Sequence, residues 1–301
     1  MDLIKHIIGN NNCQYKRKKK TKITDRQRRD AMNILICVKQ VPDTAEIRID
    51  RESHTLIREG VASILNPYDG YALEAAAKLK DQNPDTTITA VSMGPVQAEA
   101  ALRECLAIAA DQAYLITDRV FGGSDTYATS YILARAIQHI QRMQEISFDA
   151  IFCGKQAIDG DTAQVGPELA EHMGYPQVTC CLKAEEREGE LVVLQENDDN
   201  QKVIGVTYPC VLTFTKPDAD PRFPTFKRKI AARKAEIPHI SSKDIGGIDL
   251  KRVGIQGSPT KVCKSYVREN KKKAVMIESD NMEQIIQELY HAAGQVCESR
   301  R

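Results

Sequence analysis

The chain of 301 residues has no apolar stretch approaching the ~18 residues a membrane span needs; clean runs such as Ile34 to Val38 are short. It has almost no net charge either, with 42 Lys/Arg against 41 Asp/Glu, a formal +1. Nothing global therefore points to nucleic acid or to an anionic membrane. The familiar catalytic signatures are missing too. There is no Walker A loop, no G-x-G-x-x-G after the first apolar run, no G-x-S-x-G elbow and no H-E-x-x-H. A dinucleotide held in the ordinary Rossmann manner, nucleophilic hydrolysis and zinc peptidase chemistry all lose their usual carriers. No C-x-x-C occurs, and the six histidines are scattered, none beside a cysteine at ligand spacing; no metal is expected. The nine cysteines are odd in number, and Cys37, Cys153, Cys180, Cys181 and Cys210 lie in apolar, strand-like runs. Buried, reduced thiols in a cytoplasmic protein are the expectation.

What is present suits a soluble globular core: 42% apolar and 28% charged residues. Residues 1–31 stand apart, with ten Lys/Arg and three Asp, a net +7 that leaves −6 on the rest. Leu3 to Ile8 is too short and too broken for a signal peptide. This segment reads as a basic, disordered extension, or as an upstream start with the working chain beginning at Met32. From there strands and helices alternate. Strands are expected at Asn33–Val38, Thr87–Met93, Gln112–Thr117 and Asp149–Cys153. Helices are expected at Pro67–Asp81, Gln97–Ala110, Thr126–Met143 and Thr162–Met173. This is the pattern of βαβ units and of a Rossmann-like, doubly wound α/β fold with a mostly parallel sheet. Val178–Leu182, Leu191–Gln195, Lys202–Val206 and Cys210–Thr215 are short strands between polar turns, expected as an antiparallel extension on one edge. Lys216 to Pro224 holds three prolines and excludes regular structure. Phe226–Ala235 is helix-compatible and basic, residues 237–275 are loop-rich, and Asn281–Val296 is an amphipathic helix with Ile285, Ile286, Leu289, Tyr290 and Ala293 as its stripe.

In an open parallel sheet, ligands bind beyond the carboxyl ends of the strands, so the strand-to-helix corners carry the functional argument. Four are unusual. The first begins at Val38 and Lys39 and runs to Asp43. The second is Ser92, Met93, Gly94 and Pro95. The third is Gly122 to Thr126, with Asp125 opening a helix that contains Ala128, Thr129 and Ser130. The fourth runs from Gly154, Lys155 and Gln156 through Asp159, Gly160, Asp161, Thr162, Ala163, Gln164 and Val165 to Gly166. Small residues let backbone N–H groups approach a ligand, and helix N-termini favour negative charge. Each corner alone is ordinary turn chemistry. Four on one sheet edge point to a nucleotide. His139 and His172 lie on expected helices, and Asp159 and Asp161 are as well explained by capping as by acid/base work.

At the fourth corner the chain resembles a known family. G-K-Q-A-I-D-G-D-T-A-Q-V-G-P (Gly154 to Pro167) is similar to the signature of electron-transfer flavoprotein beta subunits. So are V-K-Q-V-P-D (Val38 to Asp43), N-P-Y-D (Asn66 to Asp69) and A-V-S-M-G-P (Ala90 to Pro95). The likeness runs from about Met32 to the C-terminus. It implies a heterodimer with a larger alpha subunit that carries a flavin, and an adenine cofactor held by this chain. That cofactor is AMP in the ordinary branch. In the bifurcating branch it is FAD, which takes a hydride from NADH and sends one electron to ferredoxin or flavodoxin and one onward to a flavin dehydrogenase of acyl-CoA or 2-hydroxy-acid type. Asp159 to Pro167 and Ser124 to Ser130 resemble the bifurcating branch, and Thr44 replaces a tyrosine frequent in the ordinary one. The resemblance places adenosine on backbone groups of Ser92 to Gly94 and Gly154 to Gln156. It places phosphates and ribityl along Asp125 to Ser130 and Gly160 to Gly166, with Val38, Lys39, Asn66 and Asp69 completing the contacts.

Pro221-Arg222-Phe223-Pro224-Thr225-Phe226 resembles the family's recognition loop. Arg222, Phe223 and the anchor Phe226 would contact the dehydrogenase, with Lys227, Arg228 and Lys229 as a cationic rim. The implied organisation is 1–31 extension, 32–220 nucleotide-binding domain, 221–236 recognition loop and 237–301 an extended segment packing on the alpha subunit. Two other readings stand beside this one. The first is a non-bifurcating carrier subunit with structural AMP. The second is a nucleotide-binding regulatory module, which would lack the Phe226 loop and the C-terminal segment.

Overall fold

The computed structural model describes residues 31–43, 48–49, 56–57, 63–217, 219–261, 277 and 281–298. The basic segment up to residue 30 and Thr44 lie outside the described residues. Two units are distinguished. One holds residues up to 48 and 56–263, the other 49–55 and 264–301.

In the larger unit the chain builds one nine-stranded sheet. Its parallel part comprises β1 (Asn33–Val38), β6 (Thr87–Met93), β7 (Gln112–Ile116), β8 (Ala150–Gly154), β12 (Cys210–Phe214) and β13 (His239–Ile240). Three strands extend it: β9 (Gln177–Arg187), β10 (Glu190–Glu196) and β11 (Gln201–Val206). The order is β11-β10-β9-β12-β8-β1-β6-β7-β13. A short antiparallel ribbon, β2 (Gln40–Pro42) with β5 (Ser63–Leu65), leaves the end of β1; the dipeptides Arg48–Ile49 and Leu56–Ile57 are strands β3 and β4.

Alternation along β1 explains the layers. Ile34, Ile36 and Val38 pack with Ala72, Leu73 and Ala76 of α1 (Pro67–Gln82) and Ala101, Leu102 and Cys105 of α2 (Glu99–Ile108). Leu35 and Cys37 face the other way, towards Ile132, Ala136 and Ile140 of α3 (Thr126–Gln144) and Leu169 and Ala170 of α4 (Val165–Met173). Helices thus cover both faces, as in a doubly wound Rossmann-like fold. The chain lays down β1, β6 and β7 in one direction, then returns to place β8 on the opposite side of β1. The order reverses between β1 and β8, which makes their carboxyl ends the topological switch point.

Two sequence expectations are corrected. Cys210–Phe214 does not belong to an antiparallel extension: it runs parallel between β8 and β9, pairing Thr213 with Cys153 and Val211 with Gln177. All five of its residues are buried, and a strand covered on both faces has no need of alternation. The antiparallel extension consists of β9, β10 and β11 alone. The fourth helix begins at Val165 rather than Thr162, because Asp161 and Ala163 hold φ of 53° and 54°, which no helix accommodates. The short parallel strand β13 lies in a region read as loop.

Helix α5 (Phe226–Lys234) is fastened to α2 by reciprocal guanidinium caps. Arg103 donates to the carbonyls of Ala232 and Ala235, and Arg228 to those of Leu106 and Ala110. Each arginine thereby satisfies carbonyls at the end of the other helix. The short helix α6 (Gly254–Gly257) closes the larger unit. In the smaller unit, α7 (Met282–Glu298) has Ile286, Leu289 and Tyr290 exposed. Among the described residues no helix is long and apolar enough to cross a membrane.

Candidate functional site

Parallel pairing sets the four corners on one rim. Val38 lies opposite Ser92, Ser92 opposite Leu115, and Cys37 opposite Cys153. The loops after β1, β6, β7 and β8 therefore leave the same edge of the sheet. The site is built around the first and fourth corners, at the switch point.

The start of α1 brackets that point from beneath. Asp69 accepts hydrogen bonds from the backbone N–H of Lys39 at 2.7 Å and of Gly154 at 3.1 Å. Asn66 donates its amide to the Gln156 carbonyl at 2.9 Å and accepts from the Ile158 N–H at 3.2 Å. Helix α1 packs so close here that a Cβ on Gly154 would sit 2.3 Å from Asp69 Oδ1 and 2.8 Å from the Asp69 backbone nitrogen. Glycine at 154 is thus demanded by the bracket. Burial pushes the Asp69 carboxyl up to about 7, against the pull of the Asn66 amide and the two backbone N–H groups. Both Asn66 and Asp69 spend their side chains inside the protein, holding loops in place.

The fourth corner is held open above this bracket. Lys39 Nζ pairs with Asp159 at 2.7 Å, and Gln156 donates to Asp161 at 2.7 Å. Both loop carboxylates are thereby engaged by neighbours. Nothing stands within 4 Å of the place a Cβ would take on Gly160, whereas one on Gly166 would meet Thr213 Cγ2 at 2.4 Å. The first glycine leaves space; the second lets α4 lie against β12. Lys155 donates its N–H to Phe214 at 2.7 Å, continuing the ladder past the strand end. Helix α4 begins without a side-chain cap: Gln164, at the cap position, offers none. Its Oε1 accepts instead from Thr126.

The third corner is different. Asp125 caps α3 through the Ala128 N–H and also accepts from the N–H and hydroxyl of Thr260, while its own N–H donates to Ser258. Burial opposes its charge, but these hydrogen bonds outweigh burial and hold the carboxyl below the usual carboxylate range. A fixed anion already occupies that helix end. Ser130 is 0% exposed and donates to the Tyr127 carbonyl, so it builds the wall of the corner. Thr126 and Thr129 stay partly accessible. At the second corner Gly94 donates to the Ile116 carbonyl, Met93 is half-buried and Ser92 is 1% exposed. The Ser92 hydroxyl has no hydrogen-bond partner, a donor left unsatisfied at the rim.

Sequence reading missed Glu168, whose carboxylate lies 3.2 Å from the Thr126 hydroxyl and 3.4 Å from that of Ser130, and whose carboxyl is raised by burial. It also missed Ser258 and Thr260, which tie the returning chain to Asp125. The signal for Glu168 was present: Thr126 and Ser130, like Gln164 and Glu168, are four apart and share a helix face.

Outside the rim, Arg222 turns inward. It pairs with Glu74 at 2.8 Å and with Asp81 at 2.6 Å, and Glu74 is buried. Arg222 is thus an anchor of its loop and not a free contact. Phe226, 80% exposed, opens the helix fixed by the reciprocal arginine caps, and Phe223, 92% exposed, lies in the loop just before it.

Fold and rim define a doubly wound α/β protein with its ligand edge at the switch point. A family model described as the electron transfer flavoprotein domain matches residues 53–245. The electron transfer flavoprotein subunit beta of Megasphaera elsdenii is 46% identical over 261 residues, covering 86% of this chain and 96% of that protein. The caffeyl-CoA reductase-Etf complex subunit CarD of Acetobacterium woodii is 45% identical over 235 residues, covering 78% and 87%. The acryloyl-CoA reductase electron transfer subunit gamma of Anaerotignum propionicum is 40% identical over 259 residues, covering 84% and 95%. The chain belongs to the electron-transfer flavoprotein family, as one of its beta subunits, and serves electron transfer.

Proposed function

We propose that this chain, joined to an alpha subunit, binds FAD at the β1/β8 rim, takes electrons from NADH and bifurcates them to ferredoxin or flavodoxin and to a flavin dehydrogenase. The observation that carries this reading is the uncapped start of α4 beside an open Gly160, with the loop carboxylates engaged by Lys39 and Gln156. The rim fits an adenylate-bearing cofactor. The Ser92 hydroxyl and the backbone of Met93, Gly94 and Gly154 to Gln156 would hold adenosine. The helix end at Val165 and Gly166, with Thr162 to Gln164, would hold phosphates. Space at Gly160 supports a cofactor longer than AMP. A bound flavin would accept a hydride and release electrons singly; this chain's residues bind it, orient it and shield it.

The names of two relatives, which belong to caffeyl-CoA and acryloyl-CoA reductases, support an acyl-CoA type of dehydrogenase partner. The exposed Phe223 and Phe226 suit its docking, and the apolar face of α7 suits the alpha subunit. The second reading, a carrier subunit with structural AMP, draws on the same rim. Flavin content of the co-purified complex separates the two. Two flavins per complex, with NADH-dependent ferredoxin reduction that requires a high-potential acceptor, is the expected result. One FAD and one AMP would leave the AMP reading standing.

A further inference from the structure

Two thiols lie directly beneath the rim and take no part in the readings above. Cys37 and Cys153 are the penultimate residues of β1 and β8, and they are register partners in these parallel strands. Neighbouring strands lie about 4.8 Å apart, inside the roughly 4.4–6.8 Å Cα separation a disulfide spans. Both side chains face the α3/α4 layer, 8% and 5% exposed. Among the described residues no other two cysteines are register partners. Each thiol precedes a corner that Asp69 grips: Gly154 follows Cys153, and Lys39 lies two residues beyond Cys37. A Cβ on Gly166, in the first turn of α4, would lie 3.7 Å from Cys153 Cβ.

We propose that Cys37 and Cys153 form a reversible oxidation site, a dithiol that hydrogen peroxide converts to a cross-strand disulfide and that thereby loosens the rim's hold on its ligand. The effect on the ligand rests on the adenylate reading of the rim. One thiolate attacks the peroxide O–O bond, giving a sulfenic acid and water; the neighbouring thiol then displaces a second water and closes the S–S bond. Two S–H bonds and one O–O bond break, and peroxide takes the two electrons. The neighbouring Cys37 thiol and burial push the Cys153 thiol well above its ordinary range, so reaction is slow while the rim is closed. A disulfide fixes a torsion the packed thiols need not adopt. The adjoining Gly154 has no slack against Asp69.

The test uses the complete complex, purified without air and exposed to hydrogen peroxide. Peptides are mapped without reduction, and retained adenylate is measured by filtration. A Cys37–Cys153 linked peptide, a several-fold loss of adenylate and recovery with dithiothreitol are expected. Cys37→Ser and Cys153→Ser, with Cys37→Ala and Cys153→Ala as alternates should either serine fail to fold, should keep their adenylate under peroxide. The proposal is overturned by absence of the linked peptide when Cys180 is oxidised, by its formation without adenylate loss, or by equal loss in the variants. Untreated protein lacking any adenylate would instead sink the reading of the rim and leave the dithiol to be judged on its peptide.

Discussion

Asp69 is the residue on which the rim's geometry turns. A carboxylate there accepts two N–H groups from different strand ends; an amide can accept only one and would set its own N–H against the other. Burial raises its folded pKa to about 7 from 3.8, so between those values the folded chain holds a proton the unfolded chain has released. Its contribution to stability is therefore largest below the unfolded pKa and is lost as pH rises through about 7, by at most ~4 kcal/mol. Urea midpoints should fall from pH 5 to pH 7.5 more steeply in the native chain than in Asp69→Asn; equal slopes would refute the assignment. His172, lowered by burial and by Arg252, pushes the opposite way in the same window, which is why the difference between the two proteins is the readout. N-P-Y-D singled out Asn66 and Asp69 in the sequence. Their job was not legible there, because the atoms they hold lie 30 to 92 positions away.

At the scale of elements, Arg222 and Phe226 separate what the loop needs to stand from what it offers. Arg222→Met leaves Glu74 buried with only Lys78 at 3.9 Å, a cost of about 2–3 kcal/mol. Phe226→Ala removes an exposed ring and should change stability by under ~0.5 kcal/mol. Both variants should weaken electron delivery to the dehydrogenase, but only Arg222→Met should lower the urea midpoint. A destabilised Phe226→Ala would mean that the ring packs internally. Most helices and strands were readable from apolar periodicity and breakers. The start of α4 was not, because Thr162 to Gln164 has helix-compatible residues and only the left-handed turns at Asp161 and Ala163 keep it unwound.

For the whole molecule, the split into two units leads to a test of the C-terminal segment. A chain ending at Cys263 retains the larger unit and should unfold cooperatively with nearly the native midpoint, yet fail to co-purify with the alpha subunit. Undiminished co-purification would remove the partner-wrapping role from residues 264–301. What the amino-acid order determined unaided was the alternation of strands and helices, the four loops at strand ends and the family they resemble. These are local properties, set by periodicity, glycine and proline within a few residues. The insertion of Cys210–Phe214 beside β8, the capture of Asp125 by Thr260 and of Arg222 by Glu74, and the pairing of Cys37 with Cys153 were decided by tertiary structure. Each depends on which distant segments a nine-stranded sheet brings side by side, and a polar group's partner is known only once that packing has chosen its neighbours.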